Sequence, residues 1–504
     1  MKVYIRHKVG FFSGIILFFL ILIFPFVTGM GNITRYTAAC AVLMAFWWLS
    51  EAIPLAATAL LPLVLFPLLK ILPAADVALS YADSNIFLFL GGFFIAFGMQ
   101  RHNLHKRIAL NIIRLLGTSP RKIILGFMLA TAFLSMWISN TATAMMMLPI
   151  GIAVIEHIKP YINANPSNNA LNGKQDKIGI SLMLGIAYAA SIGGIGTLVG
   201  TPPNIIFAGV VKNMYPALPE IDFVRWLGIG MPVVVIFLPI TWFYLIYIGA
   251  PVAKTNIKVG KEIINNELKA LGKMKIEETI TLLVFCLTAM GWIFRRDIVI
   301  GDFHIPGWAS LLGIEKYVND STVALIGALL LFVIPVNLRK KEFIMNWEWA
   351  QKVPWGILIL FGGGFALAKG FESSGLDRWI GSAFVGINHI SLFLIIICVC
   401  TLLTFLTEIT SNTATITMIL PILGAMSVNF GMNPFLLMIP ATLSASCAFM
   451  MPVATPPNAI VFGSGYIKIQ DMARIGFVLN LTGVIIITLL MYFCAFPILG
   501  IAVF

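Results

Sequence analysis

Two short polar stretches lie inside otherwise apolar surroundings, and they are near copies of each other. Ile138-Ser139-Asn140-Thr141-Ala142-Thr143 recurs as Thr410-Ser411-Asn412-Thr413-Ala414-Thr415, and both run on to Leu-Pro-Ile, at 148–150 and 420–422. Ser139 and Ser411 are 272 positions apart, as are Pro149 and Pro421. Further on, Thr201-Pro202-Pro203-Asn204 returns as Thr455-Pro456-Pro457-Asn458, 254 positions away. Asn and Thr side chains offer donors without charge, and a helix start exposes backbone N–H groups that favour an anion. Two such clusters facing one another suit a ligand with a negative group at each end, a dicarboxylate. Asn140 and Thr141 would hold one carboxylate, Asn412 and Thr413 the other. No cationic residue stands at either tip, so binding should stay loose enough for release.

The same segments suit a cation. Proline removes a donor and leaves neighbouring carbonyls unpaired, and unwound carbonyls near helix ends are good Na+ ligands. A further hydroxyl stands four residues before each motif serine, Ser135 and Thr407, a spacing that puts both oxygens on one helix face. Hard neutral oxygens suit Na+, whereas a proton needs a titratable group. Glu408 is the acid nearest these motifs, but its repeat mate is Met136. It is read first as a structural hydrogen-bonding acid, with a proton or charge-compensation role as the alternative.

The elements that must position these residues follow from composition. Of 504 residues 59% are hydrophobic and 11% charged, where soluble domains carry about 25% charged residues. An ordinary cytosolic enzyme, a disordered chain and a nucleic-acid-binding module are excluded, despite the net charge of +12. The lipid bilayer is the expected solvent. Apolar runs fall near 10–28, 36–53, 54–72, 84–100, 121–155, 178–212, 226–250, 277–294, 320–337, 354–371, 390–428, 433–464 and 472–503. The first follows Lys2, Arg6 and Lys8 and is read as a retained span. Six cysteines lie in or beside these runs with no CxxC pair, and read as small buried hydrophobes. Asp83 with Asn85 reads as a helix cap. The stretches after Arg101 and near 375–384 are amphipathic and read as interfacial helices.

The runs at 121–155 and 390–428 each carry S-N-T-A-T in the middle. A polar tip inside a membrane survives only where protein or water covers it, so both are expected to be re-entrant hairpins. With the N-terminus inside and neither hairpin counted as a crossing, 24 of the 33 Lys and Arg residues fall inside, a strong positive-inside bias. The expectation is an all-α integral membrane protein of about eleven spans plus two hairpins. It lies in the plasma (cytoplasmic) membrane, with the N-terminus cytoplasmic and the C-terminus outside. The hairpins then open to opposite sides, an inverted repeat of the kind secondary transporters use around a midplane site. No G-x-x-x-x-G-K-[ST] and no HExxH occurs, which argues against an ATP-driven pump and a zinc protease within this chain. The paired hairpins favour a carrier over a channel.

At the paired S-N-T motifs and the TPPN tetrads the sequence resembles the divalent anion/sodium symporter family, the INDY-type dicarboxylate and citrate carriers. The segments 191–204 and 449–462 are especially close to that family, and the likeness covers the chain from about residue 36. The resemblance implies a homodimer with an elevator-type mobile part. Scaffold would comprise 1–120 and 277–388, transport domain 121–250 and 389–504, and a cytoplasmic linker 251–276. One Na+ site would map to Ser135, Ser139, Asn140 and Gly200. A second would map to Thr407, Thr410, Asn412 and the Ala454 carbonyl. Substrate contacts would come from Ser139, Asn140, Thr141, Ser411, Asn412 and Thr413, with Thr201, Thr455 and Pro456 nearby. The implied activity is Na+-coupled import of C4-dicarboxylates such as succinate, fumarate and malate. Na+-independent dicarboxylate exchange, or citrate or sulfate transport, stands as the alternative.

Overall fold

The apolar runs form helices that break at the S-N-T and TPPN motifs. The computed structural model describes residues 2–24, 30–116, 119–163, 175–252, 260–300, 303–382 and 391–495. Six helices among them are long and apolar enough to cross a membrane: Ala74–Arg101, Lys177–Ile195, Phe223–Gly249, Ile276–Ile293, Trp355–Ser374 and Ile469–Phe493. Shorter apolar helices include Leu55–Leu68, Asp320–Val333, Leu392–Thr407 and Phe435–Ala445. The chain is a mostly helical, multi-pass membrane protein. Its outward faces agree: Phe12, Ile16 and Ile23 on one helix and Val235, Phe243 and Ile248 on another are exposed, an apolar surface that water would penalise.

The runs expected as hairpins are each two helices with a short non-helical tip. Pro120–Ser135 and Asn140–Asn163 form the first, Leu392–Thr407 and Asn412–Asn429 the second. The two runs carrying TPPN are broken in the same way. Gln175–Ile195 is followed by Pro202–Met214, and Phe435–Ala445 by Pro456–Phe462. In each, the first proline occupies the first helical position, where its missing N–H costs nothing. Asp83 does cap its helix, accepting from the Asn85 N–H at 2.8 Å.

Several expectations change. The span at 54–72 is split into Leu55–Thr58 and Leu61–Leu68. The run at 320–337 is helical only over Asp320–Val333. Pro335 disfavours helix at Ile334, which turns extended, and a small ribbon of Pro335–Asn337 with Glu342–Phe343 follows. A second ribbon pairs Ile298–Ile300 with Phe303–Ile305, a small addition to a mostly helical chain. The linker contains a helix, Gly260–Leu271. Lys106 meets Glu267 at 2.9 Å and Arg107 Nη1 donates to the Gly272 carbonyl at 3.1 Å, which docks the linker on the amphipathic helix Leu104–Leu116. Residues 164–174 of the connection at 156–177, the end of the stretch at 375–384 and the last run beyond 495 lie outside the described residues.

Aromatic packing holds the halves together around the site. The Tyr188 hydroxyl donates to the Phe449 carbonyl at 2.9 Å, and the two rings meet edge-on at 5.1 Å. Trp137, at the first hairpin tip, stacks on Trp292 and meets Phe285 edge-on at 4.9 Å. Such pairs are worth about 0.5–1.5 kcal/mol beyond area burial.

Candidate functional site

At each tip the motif serine caps the second helix. Ser139 accepts from the Ala142 N–H at 3.3 Å, and Ser411 from the Ala414 N–H at 3.5 Å. Asn140 and Asn412 are therefore the first residues of helices whose N–H groups point toward the tip. The helix before each tip ends at Ser135 and at Thr407. The one-turn spacing to Ser139 and Ser411 anticipated above is consequently broken, because the intervening residues leave the helix.

The two tips differ in how they use matching hydroxyls. Ser135 is fully buried and donates to Asn140 Oδ1; it also lies 2.7 Å from the Ala190 carbonyl. Thr407 instead bonds back to the carbonyls of Leu403 and Thr404, at 3.0 and 3.1 Å. Asn412 Oδ1 is thus left buried with no hydrogen-bond partner among the described residues, an acceptor free to meet a cation. Thr410 pairs with the Thr415 hydroxyl at 2.7 Å. Its mate Ile138 has no hydroxyl, and Thr143 Oγ1, the mate of the Thr415 oxygen, is unpartnered.

Behind the tips, the unwound segments follow one plan. In the first, Thr197 O accepts from the Gly200 N–H at 3.3 Å and from Asn204 Nδ2 at 2.8 Å. In the second, Met451 O accepts from the Ala454 N–H at 3.2 Å and from Asn458 Nδ2 at 3.0 Å. Asn204 Nδ2 also reaches Gly194 O, and Asn458 Nδ2 reaches Ala448 O, both at 3.1 Å. Every participant has its mate 254 positions away. Gly194 permits a close approach: a Cβ there would lie 2.7 Å from Asn140 Oδ1 and 3.3 Å from the Gly200 carbonyl. Asn140, Gly194 and Gly200 therefore form one oxygen-rich cluster.

Glu408 occupies the second segment only. Its Oε1 accepts from the Phe449 and Met450 N–H groups at 2.7 and 2.9 Å and from Asn480 Nδ2 at 2.7 Å. Its Oε2 accepts from the Met451 N–H at 3.0 Å. The first of the two sequence readings, a structural acid, matches this geometry. The bracing by Asn204 and Asn458 went unseen in the sequence, where TPPN was read for its prolines. Its signal was present, since a repeated Asn at a helix break invites the question of what its amide holds.

A cavity of about 840 Å3 brings the tips together. Its lining includes Ser139, Asn140, Thr141, Gly200 and Thr201 from the first half. From the second half come Thr410, Ser411, Asn412, Thr413, Ala454, Thr455 and Pro456. Ser135 and Thr407 lie buried behind the wall. Charged groups stand at the mouth, where His7, Glu51 and Lys352 join the lining. His7 Nδ1 is 2.8 Å from the Glu51 carbonyl, and the Lys352 ammonium lies 3.3 Å from the Trp349 ring centre. Among the described residues no group of three or more His, Cys, Asp or Glu could hold a metal ion; a cation at the tips would meet neutral oxygens. Such an arrangement can bind a small anion and hard cations side by side.

Known proteins resemble this chain over nearly its whole length. Residues 7–500 match the family described as the sodium:sulfate symporter transmembrane region. A sodium-dependent dicarboxylate transporter, SdcS, of Staphylococcus saprophyticus is 44% identical over 500 residues, covering 99% of this chain and 93% of that protein. The protein of the same name in Staphylococcus aureus is 46% identical over 494 residues, 98% of this chain and 92% of that one. The crystal structure of the YdaH transporter of Alcanivorax borkumensis, described as having an unusual topology, matches with a TM-score of 0.53. That match is 11% identical and covers 92% of this chain and 98% of the other, a likeness of fold alone.

Proposed function

The chain belongs to the sodium:sulfate symporter family, and from that premise we propose that it is a secondary Na+-coupled symporter of C4-dicarboxylates such as succinate, fumarate and malate. It is a transporter and not an enzyme, with Na+ as the co-transported ion. The observation that carries the reading is the single cavity lined by both S-N-T tips and both TPP turns. One carboxylate would sit at Asn140 and Thr141, the other at Asn412 and Thr413. Na+ would be held by Ser135, Ser139, Asn140 and Gly200 in one half, and by Thr407, Thr410, Asn412 and Ala454 in the other. Thr201, Thr455 and Pro456 would complete the wall.

Magnitudes explain why the cation is required. A helix N-terminus favours a negative charge by only about 0.3–1 kcal/mol. A unit cation about 4 Å from a carboxylate gains roughly 4 kcal/mol at an effective dielectric of about 20. Uncharged tips alone hold a dianion weakly; loaded with Na+ they hold it well, and release of Na+ releases both. In this reading 1–120 and 277–388 form the scaffold, and 121–250 and 389–504 an elevator-type transport domain. The protein works as a homodimer of about eleven spans and two oppositely oriented hairpins per chain. It sits in the cytoplasmic membrane with its N-terminus inside. The cavity mouth at His7, Glu51 and Lys352 then faces the cytoplasm. Ties at the opposite end support that orientation: Lys212 donates to Ser84 Oγ at 2.8 Å, and the Phe223 N–H to Asp320 Oδ2 at 2.7 Å. Each joins the proposed mobile part to the scaffold and must separate in the stroke.

The test is uptake of labelled succinate into proteoliposomes, with and without an inward Na+ gradient, with and without succinate preloaded, and with citrate and sulfate as competitors. Na+-driven uptake into empty vesicles is expected. Uptake that needs internal succinate and ignores Na+ would identify an exchanger instead.

A further inference from the structure

We propose that Asn204 and Asn458 are positioning residues that set the Na+ affinity of the two cation neighbourhoods, one in each half; the inference rests on the Na+-coupled reading above. Neither side chain lines the cavity, and both are fully buried. Each amide group donates to two carbonyls, Gly194 in the last turn of the preceding helix and Thr197 in the break in one case, Ala448 and Met451 in the break in the other. The second acceptor of each pair also receives the backbone N–H of Gly200 or Ala454.

The consequence is geometric. The N–H of Gly200 and the amide of Asn204 converge on one oxygen, so the asparagine closes the turn that leads into the Gly200 peptide. The same holds for Ala454 and Asn458. Gly194 O, the other acceptor in the first half, belongs to the residue on which the Asn140 amide rests. Without the asparagine, two carbonyls lose a shared donor and the turn can open, which moves the oxygens that face the cation. Among the described residues the amide's own oxygen has no donor in either half. It adds a partial negative charge to the same buried neighbourhood, which favours a cation there. A helix cap alone does not account for this, because the partners are carbonyls at or within the break and not N–H groups of the following helix.

Residues that orient metal ligands from behind typically change metal affinity about 10–100-fold when removed. Proteoliposomes carrying Asn204→Ala or Asn458→Ala are expected to need about tenfold more Na+, or more, for half-maximal succinate uptake. Their succinate KM at saturating Na+ should stay that of the wild type. Should either variant not fold, the near-isosteric Asn204→Leu and Asn458→Leu, which keep the volume, lose the donor and add no charge, carry the same test. A second readout is the rise in Tm of the detergent-purified chain when NaCl replaces choline chloride. That rise should move to higher Na+ in every variant. A lower maximal rate with unchanged half-saturating Na+ and an unchanged Tm response would mean a merely structural role and overturn the proposal. Wild-type uptake that ignores Na+ sinks the functional reading by itself. The thermal response then decides the brace, and a wild-type chain with neither response loses both.

Discussion

The two unwound segments share a backbone plan and differ in what satisfies it. The first is rich in glycine at 193, 194, 196 and 200. Its chain turns tightly, with the Gly196 N–H on the Gly193 carbonyl at 2.9 Å. Thr197 donates to the Met136 carbonyl, and the Trp226 indole to the Ile195 carbonyl at 3.0 Å. The second segment has no glycine between Ser446 and Ala454. Three successive N–H groups, at Phe449, Met450 and Met451, are left over and all end on Glu408. An unpaired backbone group in a membrane costs several kcal/mol. A compact chain solves that locally in one half, and a buried carboxylate solves it in the other. The symmetry required at the tips is therefore kept by unlike means behind them.

The strongest way to break the comparison is at the tips, where the halves should be equivalent. Asn140→Ala and Asn412→Ala are each expected to bring labelled succinate uptake to background, since each removes contacts to both anion and cation. Near-normal uptake in both would sink the site. The next effect is one-sided. Glu408→Ala orphans the Met450 and Met451 N–H groups and the Asn480 amide N–H, and leaves the Phe449 N–H only Asn480 Oδ1 at 3.2 Å, at about 1–3 kcal/mol for each orphaned buried donor, so Tm should fall steeply and uptake with it. Met136→Leu, in the matching place, should cost less than about 1.5 kcal/mol. Equal losses of Tm would show that Glu408 does not carry the second segment.

Gly194→Ala sharpens the contrast further. The added Cβ displaces Asn140, and the Na+ needed for half-maximal uptake should rise about tenfold. Its mate Ala448 already carries a Cβ, so Ala448→Gly should leave that value unchanged. The smallest effect is expected behind the tips. Ser135→Ala removes a donor to Asn140, whereas Thr407→Ala removes a hydroxyl that bonds its own helix. Both should raise the Na+ requirement, Ser135→Ala more than Thr407→Ala. Unchanged Na+ dependence in Thr407→Ala would remove Thr407 from the second cation neighbourhood.

Much of this was legible in the residues. A polar S-N-T inside an apolar run, and paired prolines inside another, can only be breaks in a membrane, and the breaks fall at 136–139, 196–201, 408–411 and 446–455. The meeting of both tips in one cavity followed from the repeat. Harder to read were residues whose role depends on a distant partner. Glu408 reaches a segment more than forty residues away, and Asn480 joins it from another helix. The spacing of Ser135 to Ser139 suggested one helix face, but spacing does not say where the helix stops. Thr407 showed the same spacing and turned away. The split at 54–72 and the end of the helix at Val333 were encoded by proline, which an apolar tally overlooks.

The order of residues alone settled the solvent, the repeat, the places where helices break and the types of atom available there. Each of these depends on neighbours in the chain: runs of apolar side chains, prolines without N–H groups, short polar stretches. Packing alone decided which oxygen each amide meets, that Asn140 rests on Gly194, and that a carboxylate in one half does the work of glycines in the other. Hydrogen bonds are short and directional, so a partner is chosen by a fraction of an ångström in space, a distance that no count along the chain contains.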